Sequence, residues 1–316
     1  MRNRLFFISL LLLVIISLPA DLQQITTDPA EDWDPHWSPE GNYFCFTSNR
    51  SGYQEIWKIT AIGDSATQLT FDDGGNIHPN WSPTGEYIAY DSERSGNQDI
   101  WILPVLVGNH IQITTNSNRD ESLSWNHDGT EIVFDSNRSN MNWDIWRKPI
   151  ADGNAVRLTT HAQYDVEPSV SANGEKIAFI SFRTGNSDIW IMNYDGTDLF
   201  QLTNSSYFKG GVCWSPNGEY LAYSSNQSGN FDIWIIPTSG GEAIQFTTNP
   251  ADDMCPTWSP DNLQIAFNSD RSGNNDIWIK DFEINSTENI ISKVNAFDLW
   301  TALTVLMQKR HGRFTP

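Results

Sequence analysis

Short apolar runs and polar turns alternate along this chain in a pattern that repeats about every 44 residues. One copy reads NWSPTGEYIAYDSERSGNQDIW, from Asn80 to Trp101. Its central run, Tyr87 to Tyr90, is apolar without strict alternation, as in a strand that is covered on both faces. The segments Ser82–Gly85 and Arg94–Asn97 have the composition of turns. Each copy therefore predicts several short strands joined by tight turns.

Two tryptophan positions mark each copy. The first precedes a Ser-Pro-x-Gly-like turn and, with one valine in place of tryptophan, occurs at Trp37, Trp81, Trp125, Val170, Trp214 and Trp258. The second ends a Glu-Ile-Trp or Asp-Ile-Trp group and occurs at Trp57, Trp101, Trp146, Trp190, Trp234 and Trp278. A signature such as Gln68-Leu69-Thr70 then closes the copy. Counting the stretch before the first tryptophan, each copy holds four predicted strands.

Six four-stranded copies predict an all-β fold, a six-bladed β-propeller of four-stranded blades. A β-solenoid is the alternative, but its coils are usually shorter and it requires distinct caps. The N-terminal signature Gln24-Ile25-Thr26 lies eleven residues before Trp37, as Thr70 lies eleven before Trp81. We expect this N-terminal strand to complete the last blade and close the ring, which removes open sheet edges.

Three segments are predicted: a signal peptide at residues 1–20, the propeller at 21–292 and an atypical tail at 293–316. The apolar run Leu5–Leu18 follows two arginines and is too short for a comfortable membrane span. Cleavage after Ala20 predicts a periplasmic or secreted protein with no membrane span, and an uncleaved anchor is the alternative. The tail has an apolar pattern that suits a short helix.

Charge and cysteine content narrow the function. Lysine and arginine number 19 and aspartate and glutamate 39, so the formal charge is −20. This balance excludes a nucleic-acid footprint and favours basic or cationic partners. The odd cysteine count, three, rules out a disulfide framework, although one bridge between Cys213 and Cys255 stays open. We expect a monomer.

The repeated WSPxG, IAY, SxRSGNxDIW and QLT groups resemble the WD40-like, or PD40, repeats of TolB-type propellers over about residues 26–280. The resemblance implies a periplasmic protein of the Tol-Pal envelope system whose propeller binds a peptidoglycan-associated lipoprotein, and it permits calcium in the central channel. TolB-type proteins carry an α/β domain before the propeller, whereas here Asp21 leads directly into the predicted ring.

One polar position recurs five residues before each first tryptophan. As a ring at one mouth of the channel, these side chains form a candidate site for calcium or a cationic peptide, and the alternative is that each caps a tight turn. The ring comprises Asp32, Asn76, Asp120, Asp165, Lys209 and Asp253. A recurring arginine, such as Arg94, is expected to pair with the acid of the Asp-Ile-Trp group and brace the hairpin.

These features favour a non-enzymatic protein-binding scaffold, because we find no catalytic set in the sequence. Similar repeats occur in oligogalacturonate-lyase-like proteins and in the gating propellers of prolyl-oligopeptidase-type hydrolases. A polysaccharide lyase or hydrolase-type enzyme therefore stays an alternative, as does the propeller module of a peptidase without its catalytic domain. A serine hydrolase needs a G-x-S-x-G elbow, which the sequence lacks.

Overall fold

A ring of small antiparallel sheets makes up the protein. The structure, a computed structural model, describes residues 22–72, 74–106 and 108–283. Within these residues, 24 strands form six four-stranded sheets. The all-β, six-bladed propeller predicted from the repeats is thus confirmed. The predicted signal peptide and the tail 293–316 lie outside the described residues. Among the described residues, no helix has the length and hydropathy of a membrane span.

The strands are numbered in chain order. Their bounds are β1 Leu22–Gln24, β2 Asp32–Trp37, β3 Tyr43–Ser48, β4 Glu55–Thr60, β5 Thr67–Gln68, β6 Ile77–Trp81, β7 Tyr87–Ser92, β8 Asp99–Pro104, β9 Ile111–Gln112, β10 Asp120–Trp125, β11 Glu131–Ser139, β12 Asn142–Pro149, β13 Val156–Arg157, β14 Asp165–Val170, β15 Lys176–Ser181, β16 Asp188–Asn193, β17 Phe200–Gln201, β18 Lys209–Trp214, β19 Tyr220–Ser225, β20 Asp232–Pro237, β21 Ile244–Gln245, β22 Asp253–Trp258, β23 Gln264–Ser269 and β24 Asp276–Asp281.

The N-terminal strand closes the ring as predicted. β1 pairs antiparallel with β24, and Gln24 lies opposite Trp278. The sixth sheet therefore has the order β1-β24-β23-β22, with its outer strand taken from the other end of the described chain. Apolar side chains of the first and sixth blades share one core cluster, in which Trp37 and Phe44 lie with Ile277. Trp37 therefore packs at the contact between the first and sixth blades.

A buried arginine cluster recurs at the inner end of the blades. In the first blade, Arg50 Nη2 lies 2.6 Å from Asp32 Oδ2, and its Nε donates to Ser48 Oγ. Its guanidinium also lies about 5 Å from the ring centroids of Phe46 and Trp57. Such contacts satisfy the charge of a guanidinium that is largely removed from water. The repeated Arg, Ser and Trp of the sequence are therefore parts of one cluster.

The predicted partner of this arginine was wrong. We expected it to pair with the acid of the Glu-Ile-Trp or Asp-Ile-Trp group, but Arg50, Arg138 and Arg183 pair instead with the aspartate that begins the first strand of their blade. The acid of the third strand has another role. Asp99 accepts hydrogen bonds from Thr114 and Gln112, which explains the Gln-x-Thr signature.

The fifth blade replaces the arginine pair by a lysine. Here Gln227 stands in the arginine position and Lys209 in the aspartate position. Lys209 is 2% exposed, and its Nζ lies 3.1 Å from Asp188 Oδ1 of the fourth blade. Without an arginine, Ser225 Oγ has no hydrogen-bond partner among the described residues. Charge balance at this junction therefore comes from the first strand rather than from the hairpin.

Restoring the common pattern tests this account. We expect Lys209→Asp alone to lower the free energy of unfolding by about 3–5 kcal/mol, because it buries an aspartate beside Asp188 without a cation. Adding Gln227→Arg supplies the missing guanidinium and a donor for Ser225, so the double variant should recover most of the loss. Urea unfolding at pH 7 measures both. A double variant no more stable than the single one would contradict the proposed exchange.

The central channel as candidate functional site

The predicted ring lies behind the channel wall. Its six side chains lie at the start of the first strands and are at most 2% exposed. They are Asp32, Asn76, Asp120, Asp165, Lys209 and Asp253. Asp32, Asp120, Asp165 and Asp253 are held by arginines of their own blades. None of the six lines the channel cavity formed by the described residues. A ligand role for this ring stays a prediction. What the structure shows is that its aspartates bind the arginine of their own blade, whereas Lys209 and Asn76 bond to the acid of the preceding blade.

Two residues further along each first strand, a different set of side chains faces the channel. At this point every first strand contains a β-bulge, and the first bulged residue has a left-handed backbone with φ between 50° and 63°. We call this set the bulge ring. It consists of Asp34, His78, Ser122, Glu167, Gly211 and Cys255. Bulges of this kind re-aim a side chain, and strained residues often occur at functional sites.

Side chains from the second strands hold the bulges in place. Asp91 Oδ2 accepts a hydrogen bond from the Ser122 amide at 3.0 Å, and Asp135 Oδ2 accepts one from the Glu167 amide at 2.8 Å. Ser224 Oγ accepts from the Cys255 amide in the same way. These bulges are therefore fixed by the blade before them, which couples the shape of the channel to the blade junctions.

Between the fourth and fifth blades, a bulge-ring side chain accepts the hydrogen bond of the bulge amide instead. The second-strand residue of the fourth blade is Ile180, which has no acceptor in its side chain. The Gly211 amide instead donates to Glu167 Oε2, at 2.5 Å. The Glu167 carboxylate is thereby held against the channel wall while still lining the cavity.

The cavity occupies the channel between the bulge ring and the turns that follow the first strands. Its volume is about 680 Å³, within the usual range for a ligand site. Proline side chains of these turns line its outer part, namely those of Pro39, Pro83, Pro216 and Pro260. Since proline fixes the backbone, this rim is rigid. The cavity thus combines a stiff apolar rim with a polar inner end.

Charge at the inner end centres on His78. Its Nδ1 lies 2.9 Å from Asp91 Oδ2 and its Nε2 lies 3.8 Å from Asp34 Oδ2. Burial alone would lower the pKa of His78, but the carboxylates of Asp34 and Asp91 outweigh it and raise the pKa to about 10. His78 is therefore an imidazolium at neutral pH.

Carboxyl groups outnumber cations around it. Burial raises the pKa of Asp91, Glu121, Asp135 and Glu167, and neighbouring carboxylates raise each of them further. Of these neighbours, Asp34 lies in the first blade and Glu167 in the fourth, so the two residues face each other across a six-bladed ring. The inner end of the channel is therefore rich in acceptors and poor in positive charge.

Three other titratable side chains of the channel, those of His36, Cys213 and Cys255, are neutral at pH 7. His36 Nδ1 accepts a hydrogen bond from the Trp81 amide, and burial lowers the pKa of His36 to about 4. Burial also raises the pKa of the Cys255 thiol well above its usual value, and that of Cys213 to about 12. Both cysteines are free thiols, so the bridge left open from the sequence is not formed.

The described residues contain no group of three or more His, Cys, Asp or Glu side chains arranged to hold a metal ion. Calcium in the channel stays a prediction that rests on the resemblance.

Sequence reasoning missed the bulge ring because it followed the residues that repeat. The ring lies at a fixed phase of the repeat, yet each of its members is chemically different. This contrast could have identified the ring. One repeat position varies among Asp, His, Ser, Glu, Gly and Cys while neighbouring positions hardly vary, which indicates that the fold does not require a particular side chain there.

The protein is thus a six-bladed propeller whose central channel has an acidic inner end. Models of the PD40 family, described as the TolB beta propeller domain, match residues 12–93, 73–207 and 166–302. The chain belongs to this family of TolB-type propellers. A search of curated proteins found no match.

Solved structures share the fold at low sequence identity. A protein assigned as TolB from Agrobacterium tumefaciens is 21% identical with a TM-score of 0.66, covering 83% of this chain and 97% of that one. TolB from Acinetobacter baumannii is 19% identical with a TM-score of 0.64, covering 80% of this chain and 63% of that one. An oligogalacturonate lyase from Vibrio parahaemolyticus is 13% identical with a TM-score of 0.60, covering 83% and 93%.

His36 and His78, both in the channel wall, should titrate at widely separated pH values. We expect His78 to stay protonated at pH 8, with a pKa of about 10, and His36 to stay neutral down to a pKa of about 4. Because the folded pKa of His78 exceeds its ordinary value of 6.5, its contribution to stability is full below pH 6.5 and is lost as the pH rises towards 10. NMR titration of the imidazole nitrogens measures both.

The variant Asp91→Asn provides the matched control for this titration. It removes one of the two flanking charges, so the pKa of His78 should fall by about 1 or more while that of His36 stays unchanged. If His78 is neutral at pH 8 in the unaltered protein, the charge distribution derived for the channel is wrong.

Proposed function

We propose that this propeller is an exported, non-enzymatic scaffold that binds a protein partner through its central channel. The observation that carries the proposal is the cavity of about 680 Å³, with a rigid proline rim and an acidic inner end. A preformed site of this kind loses little conformational entropy on binding, which favours recognition of a protruding segment. The chain's charge of −20 supports a basic partner.

The proposed location is the periplasm or the extracellular space. Two features support it: the N-terminal sequence has the pattern of a signal peptide, and the family is that of TolB-type propellers. Within this proposal, a lipoprotein of the peptidoglycan-associated type is the first partner to test. We further propose that the mature chain acts as a monomer and does not bind nucleic acid.

Binding of such a partner tests the scaffold directly. The mature chain, residues 21–316, is titrated with the purified peptidoglycan-associated lipoprotein encoded by the same genome, and calorimetry measures the affinity. We expect Asp34→Asn with Glu167→Gln to weaken binding at least about tenfold, because both carboxylates face the channel. The control, Asp152→Asn with Glu242→Gln, removes the same charge from exposed loops and should bind normally.

Two results would count against the scaffold. One is a loss of binding that is equal in the channel and loop variants, which would show a general effect of charge. The other is the absence of binding to this lipoprotein together with the absence of any envelope protein that the mature chain retains and the channel variant does not.

A second candidate function is a lyase or hydrolase that acts on an acidic polysaccharide. The observation that favours it is the asymmetric grouping of His78, Asp34 and Glu167 at the inner end of the cavity. An imidazolium is suited to bind a uronate carboxylate, and a carboxyl group with a raised pKa is suited to proton transfer.

A turnover assay separates this candidate from the scaffold. On oligogalacturonate, a lyase forms an unsaturated product that absorbs in the ultraviolet. If this candidate is correct, His78→Gln and Glu167→Gln should each lower the rate at least about 100-fold while Glu242→Gln leaves it unchanged. No turnover of oligogalacturonate or other polyuronates by the mature chain, with and without added divalent metals, removes the candidate.

A further inference from the structure

We propose that the bulge ring is a binding site for one organic cation, an ammonium or guanidinium group, which enters through the proline-lined rim. The proposal deepens the scaffold function and rests on it for biological meaning, since such a group is carried by a lysine or arginine side chain of a protein. The site itself is argued from the described residues alone.

The first argument is the balance of charge. Around the bulge ring, the described structure places five carboxyl groups near one another, those of Asp34, Asp91, Glu121, Asp135 and Glu167. Burial raises the pKa of the last four, and neighbouring carboxylates of the group, Asp34 among them, raise it further. Two cationic groups face them. His78 contacts Asp34 and Asp91, and Arg119 Nε contacts Glu121 at 2.5 Å. Glu167 has no cation within salt-bridge distance among the described residues, although it lines the cavity.

The second argument is an acceptor that lacks a donor. Asp91 is fully buried, and its Oδ1 has no hydrogen-bond partner in the described part of the chain. Its other oxygen contacts the His78 ring and the Ser122 amide, both of which belong to channel-lining residues. The carboxylate is therefore directed at the channel wall. Asn268 Oδ1, also buried and without a donor, lies at the equivalent position behind Asp34.

The third argument is geometric. Asp34 and Glu167 belong to opposite blades and both line the cavity, so a cation in the channel has a carboxyl group on either side of it. The Gly211 amide already donates to Glu167 Oε2, which fixes the position of this carboxylate before a ligand arrives. A fixed, desolvated carboxylate binds a cation more tightly than a mobile one on the surface.

Butylguanidinium tests the site without any protein partner, and butylurea serves as its neutral isostere. Each is titrated into the isotopically labelled mature chain while amide shifts are followed by NMR. We expect butylguanidinium to shift the Gly211 and Ser122 amides saturably, because these amides bond to Glu167 and Asp91. Butylurea should produce at most a tenth of this effect at equal concentration, and the amide of the exposed Gly241 should not respond.

Variants of matched charge locate the effect. Glu167→Gln keeps an oxygen that accepts from the Gly211 amide, yet it should weaken butylguanidinium binding at least about tenfold. Glu242→Gln, which removes one charge from an exposed loop, should leave it unchanged. If Glu167→Gln does not fold, the comparison of the two ligands on the unaltered protein still decides the matter.

Three outcomes overturn the proposal: equal shifts with butylurea, no saturable shift with butylguanidinium, or displacement of bound butylguanidinium by calcium chloride at concentrations far below its own. The last would make the ring a metal site instead. Because no protein partner is present, binding of butylguanidinium without binding of a lipoprotein would reject the scaffold's partner and keep the cation site. The reverse result would keep the partner and reject the cation site.

Discussion

The fold depends on burying one cation beside the first strand of each blade. In the blades that carry it, the arginine of the second hairpin crosses to the first strand, bonds to an aspartate there and lies between two aromatic rings, as Arg271 does with Asp253, Phe267 and Trp278. Removing one partner from such a group leaves a buried charge unpaired, which costs more than the intact pair contributes. This constraint explains why the sequence repeats Arg, Ser and Asp-Ile-Trp together, and why the fifth blade changes Lys209 and Gln227 as a pair.

Because the blades are held together away from the channel, the residues that line the channel can differ from blade to blade. Second-strand side chains bond to several of the bulge amides, yet the left-handed backbone recurs whether the bulged residue is Asp34, Ser122 or Gly211. The backbone is strained at the non-glycine positions, and the surrounding hydrogen bonds maintain it. Function can therefore change by substitution at one phase of the repeat without loss of the ring.

Regular features of the repeat were predictable from sequence, and the asymmetric ones were not. The blade number, the four strands and the closure by β1 follow from spacing alone, because each copy confirms the others. The partner of Arg50 was assigned wrongly because the nearest acid along the chain is Glu55, whereas twist and register bring Asp32 closer. The hydrogen bond between Glu167 and Gly211 joins two blades and forms where Ile180 offers no acceptor. Because this combination occurs in one copy, the common repeat pattern could not predict it.

The chemistry of His78 favours binding over turnover. A general base needs a free lone pair, but both ring nitrogens of His78 face carboxylates that stabilise the imidazolium. Deprotonation would leave Asp34 and Asp91 facing each other without the positive charge that separates them. The imidazolium is thus better described as a fixed part of the wall, one that neutralises one side of the channel and leaves Glu167 available on the other. The cavity thus holds a fixed imidazolium and a fixed carboxyl group, that of Glu167, in its wall.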